Sequence, residues 1–298
     1  MEALHVTYQT ALDGELRALM TTQLTKYILF MRGQIPCLYD ELLQFIENRQ
    51  LQLQQEETGT QTRRRLPMSG GIKKAMKCVD AAELLFNEQL DAIFSLRVKR
   101  VLLVFGASMM SPREAVVVDF DEADVKAVDA GLTTRSIPYS PLTDEEDMSL
   151  EDSQTLTPPS PPLTREKLMR LCSQKLMRAV FSHAVEQFSS VLTATKLHIA
   201  VLAERQSTRI PGFVPKQHFK LRLPKDKRGV RTHHIVISDD AASKPQHDCQ
   251  QSASQQVSSD IEEGSRQASA TATASDPNLM WYVRENPIPG FSEVLNTL

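Results

Sequence analysis

Apolar side chains at Leu12, Leu16, Leu19, Met20, Leu24, Tyr27, Ile28 and Met31 recur three or four positions apart, so they share one face of a helix about five turns long. Asp13 stands where it can cap the first turn, and Gly33 with Pro36 stops the helix. A short amphipathic piece, Tyr39 to Ile46, follows. A second helix is predicted from about Ile72 to Leu96, with Val79, Leu84, Leu85, Leu90, Ile93 and Phe94 as its apolar positions. The period then changes. Val101 to Phe105 is a continuous apolar run rich in β-branched and aromatic residues, as expected of a strand buried on both faces. Ser111 and Pro112 begin a turn, after which Ala115 to Phe120 is predicted to pair with it.

The longest helix is predicted from Thr164 to Leu192, with Pro161 and Pro162 before it and Thr164 and Glu166 in its opening turn. One row along it holds Cys172, Leu176, Val180, Ala184, Phe188 and Leu192. An adjoining row holds Met169, Met177, Phe181 and Val185, interrupted by Ser173. That arc is too wide for one neighbour, so the helix is either buried on two sides or offers its second row to a partner; periodicity leaves both open. Strands are predicted at Leu197–Ala203, Gln217–Leu223 and Gly229–Ile237, the last two joined by a turn at 224–228. Leu279 to Val283, with the chain's one tryptophan, Trp281, is expected to return and cover a sheet edge. This order is not the regular alternation of a doubly wound sheet, and an α+β class follows.

Composition removes three stretches from any core. Residues 50–71, 126–162 and 238–277 are polar and poor in large apolar side chains. They cannot offset a backbone ordering cost of roughly 1–2 kcal/mol per residue, so disordered loops are expected there. What remains suits one domain spanning 1–298. A net charge of -3 and a pI near 6.2 give no global reason to seek nucleic acid or an anionic membrane. No apolar run approaches the ~20 residues of a membrane span, and the N-terminus lacks the pattern of a signal peptide, so a cytosolic or nuclear location is expected. Cys37, Cys78, Cys172 and Cys249 are far apart in sequence and read as free thiols.

Reactive constellations are largely missing, so no enzyme, cofactor or metal site is expected. Gly106-Ala-Ser-Met-Met follows a strand but lacks the second glycine of a nucleophile elbow, which leaves Ser108 without its context. Gly70 and Gly71 precede a helix outside any phosphate-binding fingerprint. His233 and His234, adjacent on a strand, point to opposite faces and cannot share a metal. His183 reads as a partly buried structural imidazole, and the carboxylates at 144–147 as solvated charge. Ser140-Pro141, Thr157-Pro158 and Ser160-Pro161 are proline-directed phosphorylation candidates; phosphate at Thr157 or Ser160 would put charge just before the long helix.

Several segments read together carry a resemblance: Leu24 to Pro36 (LTKYILFMRGQIP), Val101 to Glu114 (VLLVFGASMMSPRE), Leu176 to Phe181 (LMRAVF), Phe213 to Lys216 (FVPK), Trp281-Tyr282 and Gly290-Phe291. In this order they resemble the comet family of Mad-two-binding adaptors. The resemblance implies a HORMA-like fold, an antiparallel sheet with three helices on one side and a C-terminal safety-belt segment. It implies a non-enzymatic adaptor that binds the closed conformer of the checkpoint HORMA protein Mad-two and presents it to a Pch-two-type AAA+ ATPase. The outcome would be disassembly of the mitotic checkpoint complex, in nucleus and cytoplasm and at the spindle or kinetochore in mitosis. By position, the resemblance implies partner contacts at Met31, Met177, Arg178 and Phe181 and ATPase contacts at Pro215 and Lys216. The family pattern has glutamine and phenylalanine where this chain has Met31 and Met177. The alternative on the same fold is a peptide-trapping adaptor in DNA repair or autophagy.

Overall fold

Asp13 caps the first helix, its Oδ1 accepting from the Leu16 N–H at 2.9 Å. In the computed structural model, residues 3–58, 69–122, 164–188, 192–217, 219, 231–239 and 278–292 are described. In chain order they form β1 (Leu4–Tyr8), α1 (Gly14–Met31), α2 (Tyr39–Thr58) and α3 (Gly70–Leu84). A π turn (Leu85–Gln89) leads from α3 into α4 (Leu90–Phe94), followed by β2 (Val98–Ser108), β3 (Ser111–Glu122) and α5 (Arg165–Gln187). The remaining strands are β4 (Lys196–Glu204), β5 (Phe213–Lys216), β6 (Arg231–Asp239), β7 (Leu279–Arg284) and β8 (Ile288–Pro289).

All eight strands join one sheet in the order β1-β6-β3-β2-β4-β7-β5, with β8 also paired to β4. The run Val101 to Phe105 is buried throughout, as expected, because both faces of β2 are covered. Val101, Leu103 and Phe105 face the larger core with Val116, Val118 and Phe120 of β3, and every helix contributes to that core: Leu16, Leu24 and Ile28 of α1, Leu42 of α2, Cys78 of α3, Ile93 of α4, Leu176 of α5. Leu102 and Val104 point the other way, into a smaller cluster with Val117, Leu202 and Trp281. Period-two alternation in a central strand thus feeds two cores at once.

Several expectations need correction. Residues 50–58 are helical rather than a loop, because Gln, Glu and Leu sustain a helix beyond the core that starts it; Leu51 there is exposed. The expected second helix is broken by the π turn. The described helices therefore number five, not three, although α3 and α4 run on from one another. β1 was not foreseen: only Val6 and Tyr8 are buried, too short an alternation to stand out at a chain end. The expected antiparallel sheet is mixed. β6 runs parallel to both β3 and β1, as the long connection from β3 through α5 and β4 permits, while the other pairings are antiparallel. A short strand that was not foreseen, β5 at Phe213–Lys216, forms around the buried Phe213, with Ile210 buried before it; of the strand expected at Gln217–Leu223 only 217 and 219 are described, and the rest of it, like the turn at 224–228, lies outside the described residues. The expected loops at 126–162 and 240–277 and the phosphorylation candidates also lie outside them, whereas Ser238 and Asp239 extend β6.

The returning tryptophan strand does cover β4, with Trp281 opposite Leu202, but it is interior, since β5 pairs with its other side. Trp281 is buried and its ring lies 5.2 Å from that of Phe219. Truncation there empties the center of the smaller cluster. Trp281→Ala is expected to cost about 3–5 kcal/mol of stability, read as a lower midpoint in urea unfolding.

Candidate functional site

Two rows of α5 meet different surroundings. Cys172, Leu176 and Val180 are buried against the core, and the row is fixed from β1 by the Tyr8 hydroxyl, which donates to the Cys172 carbonyl at 2.9 Å, and by Lys175 Nζ, which donates to the Thr7 carbonyl at 2.5 Å. Arg165 reaches Asp13 at 2.6 Å and Glu15 at 2.7 Å, joining the start of α5 to the start of α1. On the opposite side Phe181 is 58% exposed and Leu171 is 41% exposed, with the exposed Gln174 and Arg178 between them. At 100° per residue these four fall within an arc of about 80°. Met177 is half-buried at its border. The row through Cys172, Leu176 and Val180 is therefore core, whereas the second row is divided: Met169 packs against the core, Met177 is half-buried and Phe181 is exposed.

Met31, also half-buried, is the last residue of α1, which packs alongside α5. The two expected methionines thus stand on neighbouring helices. Leu171 was not foreseen as a surface residue. Its signal in the sequence is a leucine flanked at helical spacing by Lys167 and Arg178, a charged setting unlike that of the core row.

The end of α1 is held by a buried polar hub. Arg32 Nη2 donates to Glu114 Oε2 at 2.6 Å, with the side chains 1% and 2% exposed. The guanidinium lies 5.1 Å from the Phe188 ring centre and donates from Nη1 to the Phe188 carbonyl at 3.4 Å, just beyond the end of α5. His233 completes the cluster, its Nε2 lying 3.6 Å from Glu114 Oε1 and its ring 4.5 Å from Phe188. Gly33, at φ 62°, turns the chain so that the Gln34 amide can donate to the Arg32 and Leu192 carbonyls while its oxygen accepts from the Thr195 N–H at 2.7 Å. The Gln34 carbonyl accepts from Phe291, and Gly290 leaves no room there for a Cβ. The segments Met31 to Pro36, Pro112 to Glu114 and Gly290-Phe291 are thus brought to one place, and they set where α1 stops and α5 ends.

Pro215 and Lys216 end β5, the edge strand, both exposed. Pro215 has no N–H to offer, which blunts that edge. α5 packs by β1, at the opposite edge of the sheet. The two expected contact surfaces are therefore not brought together.

Chemistry remains sparse. Ser108 pairs with Ser111 in a strand-to-strand hairpin, not a strand-to-helix elbow. His183 is half-buried on α5. His233 and His234 do face opposite ways: His234 Nε2 lies 2.6 Å from Asp119 Oδ2, which also pairs with Arg100. Burial pushes the Asp119 carboxyl up, but the bonds from His234 and Arg100 together outweigh it and hold it below the ordinary range. Among the described residues no cluster of His, Cys, Asp or Glu could hold a metal ion, and no helix is long and apolar enough to cross a membrane. Cys37, Cys78 and Cys172 are free; Cys249 lies outside the described residues.

Comparison with protein families gives a match over residues 4–139 to the family model described as "p31comet: Mad1 and Cdc20-bound-Mad2 binding". This bears out the resemblance carried by the sequence segments, of which Leu24 to Pro36 and Val101 to Glu114 lie inside the matched stretch and the others beyond it. The family is described by what it binds, not by a reaction. No curated protein matches the chain.

Removing Arg32 while keeping its bulk strands Glu114 in the core. Arg32→Met is expected to cost about 3–5 kcal/mol in urea unfolding, more than loss of the packing alone. Asp119 contributes stability that is present above the unfolded carboxyl range and lost as pH falls through its lowered folded value. Asp119→Asn should accordingly flatten the acid limb of a stability-against-pH profile relative to the parent chain.

Proposed function

We propose, with the comet-family match over residues 4–139 as the premise, that this chain is a non-enzymatic adaptor whose α5 docks on the closed, Cdc20-bound conformer of a Mad-two-type HORMA protein. The observation that carries this reading is the pair of exposed apolar residues on one side of α5. Phe181 and Leu171 stand out from a helix whose other row is locked into the core, so the apolar surface is presented rigidly and little ordering is left for binding. Arg178 lies between them as a polar determinant of register. Met177 and Met31 at the border supply polarizable, adaptable contacts in place of the family's aromatic and amide groups. An aromatic anchor is thereby kept, moved one helical turn to Phe181.

The same reading assigns the β5 edge, with Pro215 and Lys216, to a Pch-two-type AAA+ ATPase. Its support is positional: this edge is remote from α5, so both partners fit on one adaptor at once. Binding energy and geometry come from this chain and ATP hydrolysis from the partner, which opens the bound conformer and dissolves the mitotic checkpoint complex. Action in nucleus and cytoplasm and at the spindle belongs to the same proposal.

Met177→Asp is expected to weaken binding to the locked closed partner by about 2–4 kcal/mol in calorimetry, because it puts an unpaired charge in a desolvated contact. Equal recovery of locked open and locked closed partners in a pull-down would overturn the reading. Lys216→Ala should leave that affinity unchanged while slowing ATPase-driven release of the partner, measured as the rate at which purified checkpoint complex falls apart.

A further inference from the structure

Arg284 ends β7 and is 4% exposed, yet its hydrogen-bond partners among the described residues are neutral. Nε donates to the Gln89 amide oxygen at 2.7 Å, Nη2 donates to the Ala81 carbonyl at 2.6 Å, and Nη1 has no hydrogen-bond partner among the described residues. Among the described residues no carboxylate pairs with it, and burial alone pushes the guanidinium down to about 10. The acceptors exist because of the π turn. The Leu85 N–H, which an uninterrupted helix would give to Ala81, bonds instead to the Ala82 carbonyl, and the Leu90 N–H reaches back to Leu85. That leaves the Ala81 carbonyl for Arg284 and presents Gln89 toward the strands. Gly212, at φ 73°, lies so close to the Gln89 amide that a Cβ would overlap it, and its carbonyl accepts from the Glu285 N–H at 3.0 Å. Gln89 is therefore clasped between the start of β5 and the end of β7.

We propose that Arg284 and Gln89 form a latch that holds β7 and β5 on the helical layer as a separable unit, deliberately under-compensated so that the unit opens ahead of global unfolding. A buried cation with only neutral acceptors is held less firmly than one with a carboxylate, because charge-assisted bonds are about twice as strong as those with a neutral partner. Leaving the seat returns the guanidinium to water, and β5 goes with β7 since β7 is its partner in the sheet. Neither the identity of any partner nor the role of α5 enters this inference.

The test is hydrogen exchange on the full chain, comparing amides of Leu279–Arg284 and Phe213–Lys216 with those of Leu4–Tyr8. Gln89→Glu is near-isosteric and gives Arg284 its missing carboxylate; exchange in β7 and β5 should slow about tenfold. Gln89→Leu removes an acceptor and should speed it about tenfold, with β1 unchanged in both variants. Exchange that moves in the same direction in both variants, that moves in neither, or that moves as much in β1 as in β7 overturns the proposal.

Discussion

The ion pair between Arg32 and Glu114 is the constraint on which the rest of the structure turns. Two charges taken out of water need each other, and here the guanidinium is shared between a carboxylate, a backbone carbonyl and an aromatic face, while Arg32 Nε and Glu114 Oε1 have no hydrogen-bond partner among the described residues. Its donors and acceptors come from the end of α1, the start of β3, the middle of β6 and the residue after α5. Those elements can meet in only one relative position without leaving a buried charge unpaired. Beside it, Gln34 ties the entry to β4 and the tail at Phe291 to the same turn. α5 is therefore located at its far end by polar bonds and along its length by the core row of Cys172, Leu176 and Val180.

A rigidly seated helix with the exposed Phe181 and Leu171 suits the proposed docking, because little of the helix itself would have to be ordered on binding. The sheet then acts as a spacer. With β1 near α5 at one edge and β5 at the other, the exposed face of α5 and the β5 edge are kept apart by the strands between them. The same sheet carries a second, helix-free cluster around Trp281, and β7 takes part in it while its last residue, Arg284, reaches across to the π turn. β7 is thus held by Trp281 in the smaller cluster on one face and by Met280 and Tyr282 in the main core, with the neutral hydrogen bonds of Arg284, on the other.

Much of this was legible in the chain. The core face of α1, the double burial of β2, the Asp13 cap and the opposite facing of His233 and His234 all follow from periods of 3.6 and 2 and from local capping chemistry. Misreadings arose where local preference is indifferent. Gln50 to Thr58 is as good a helix as it is a loop by composition, β1 is five residues long, and the π turn replaces bonds without changing the apolar pattern that a helix would show. The surface role of Leu171 was missed for the same reason, since a lone leucine among charges has no period of its own.

Sequence by itself determined the alternation of helices and strands, the class, and the six segments that carry the family resemblance, because side-chain spacing and turn residues act over a few positions. Only the tertiary structure decided that Arg32 and Glu114, 82 residues apart, are partners. It also decided that β6 lies parallel between β1 and β3, that Trp281 is interior, and that Phe181 and Leu171 are the apolar residues of α5 that face water. These depend on which distant surfaces cover one another, and burial of that kind is a property of the packed chain rather than of any stretch within it.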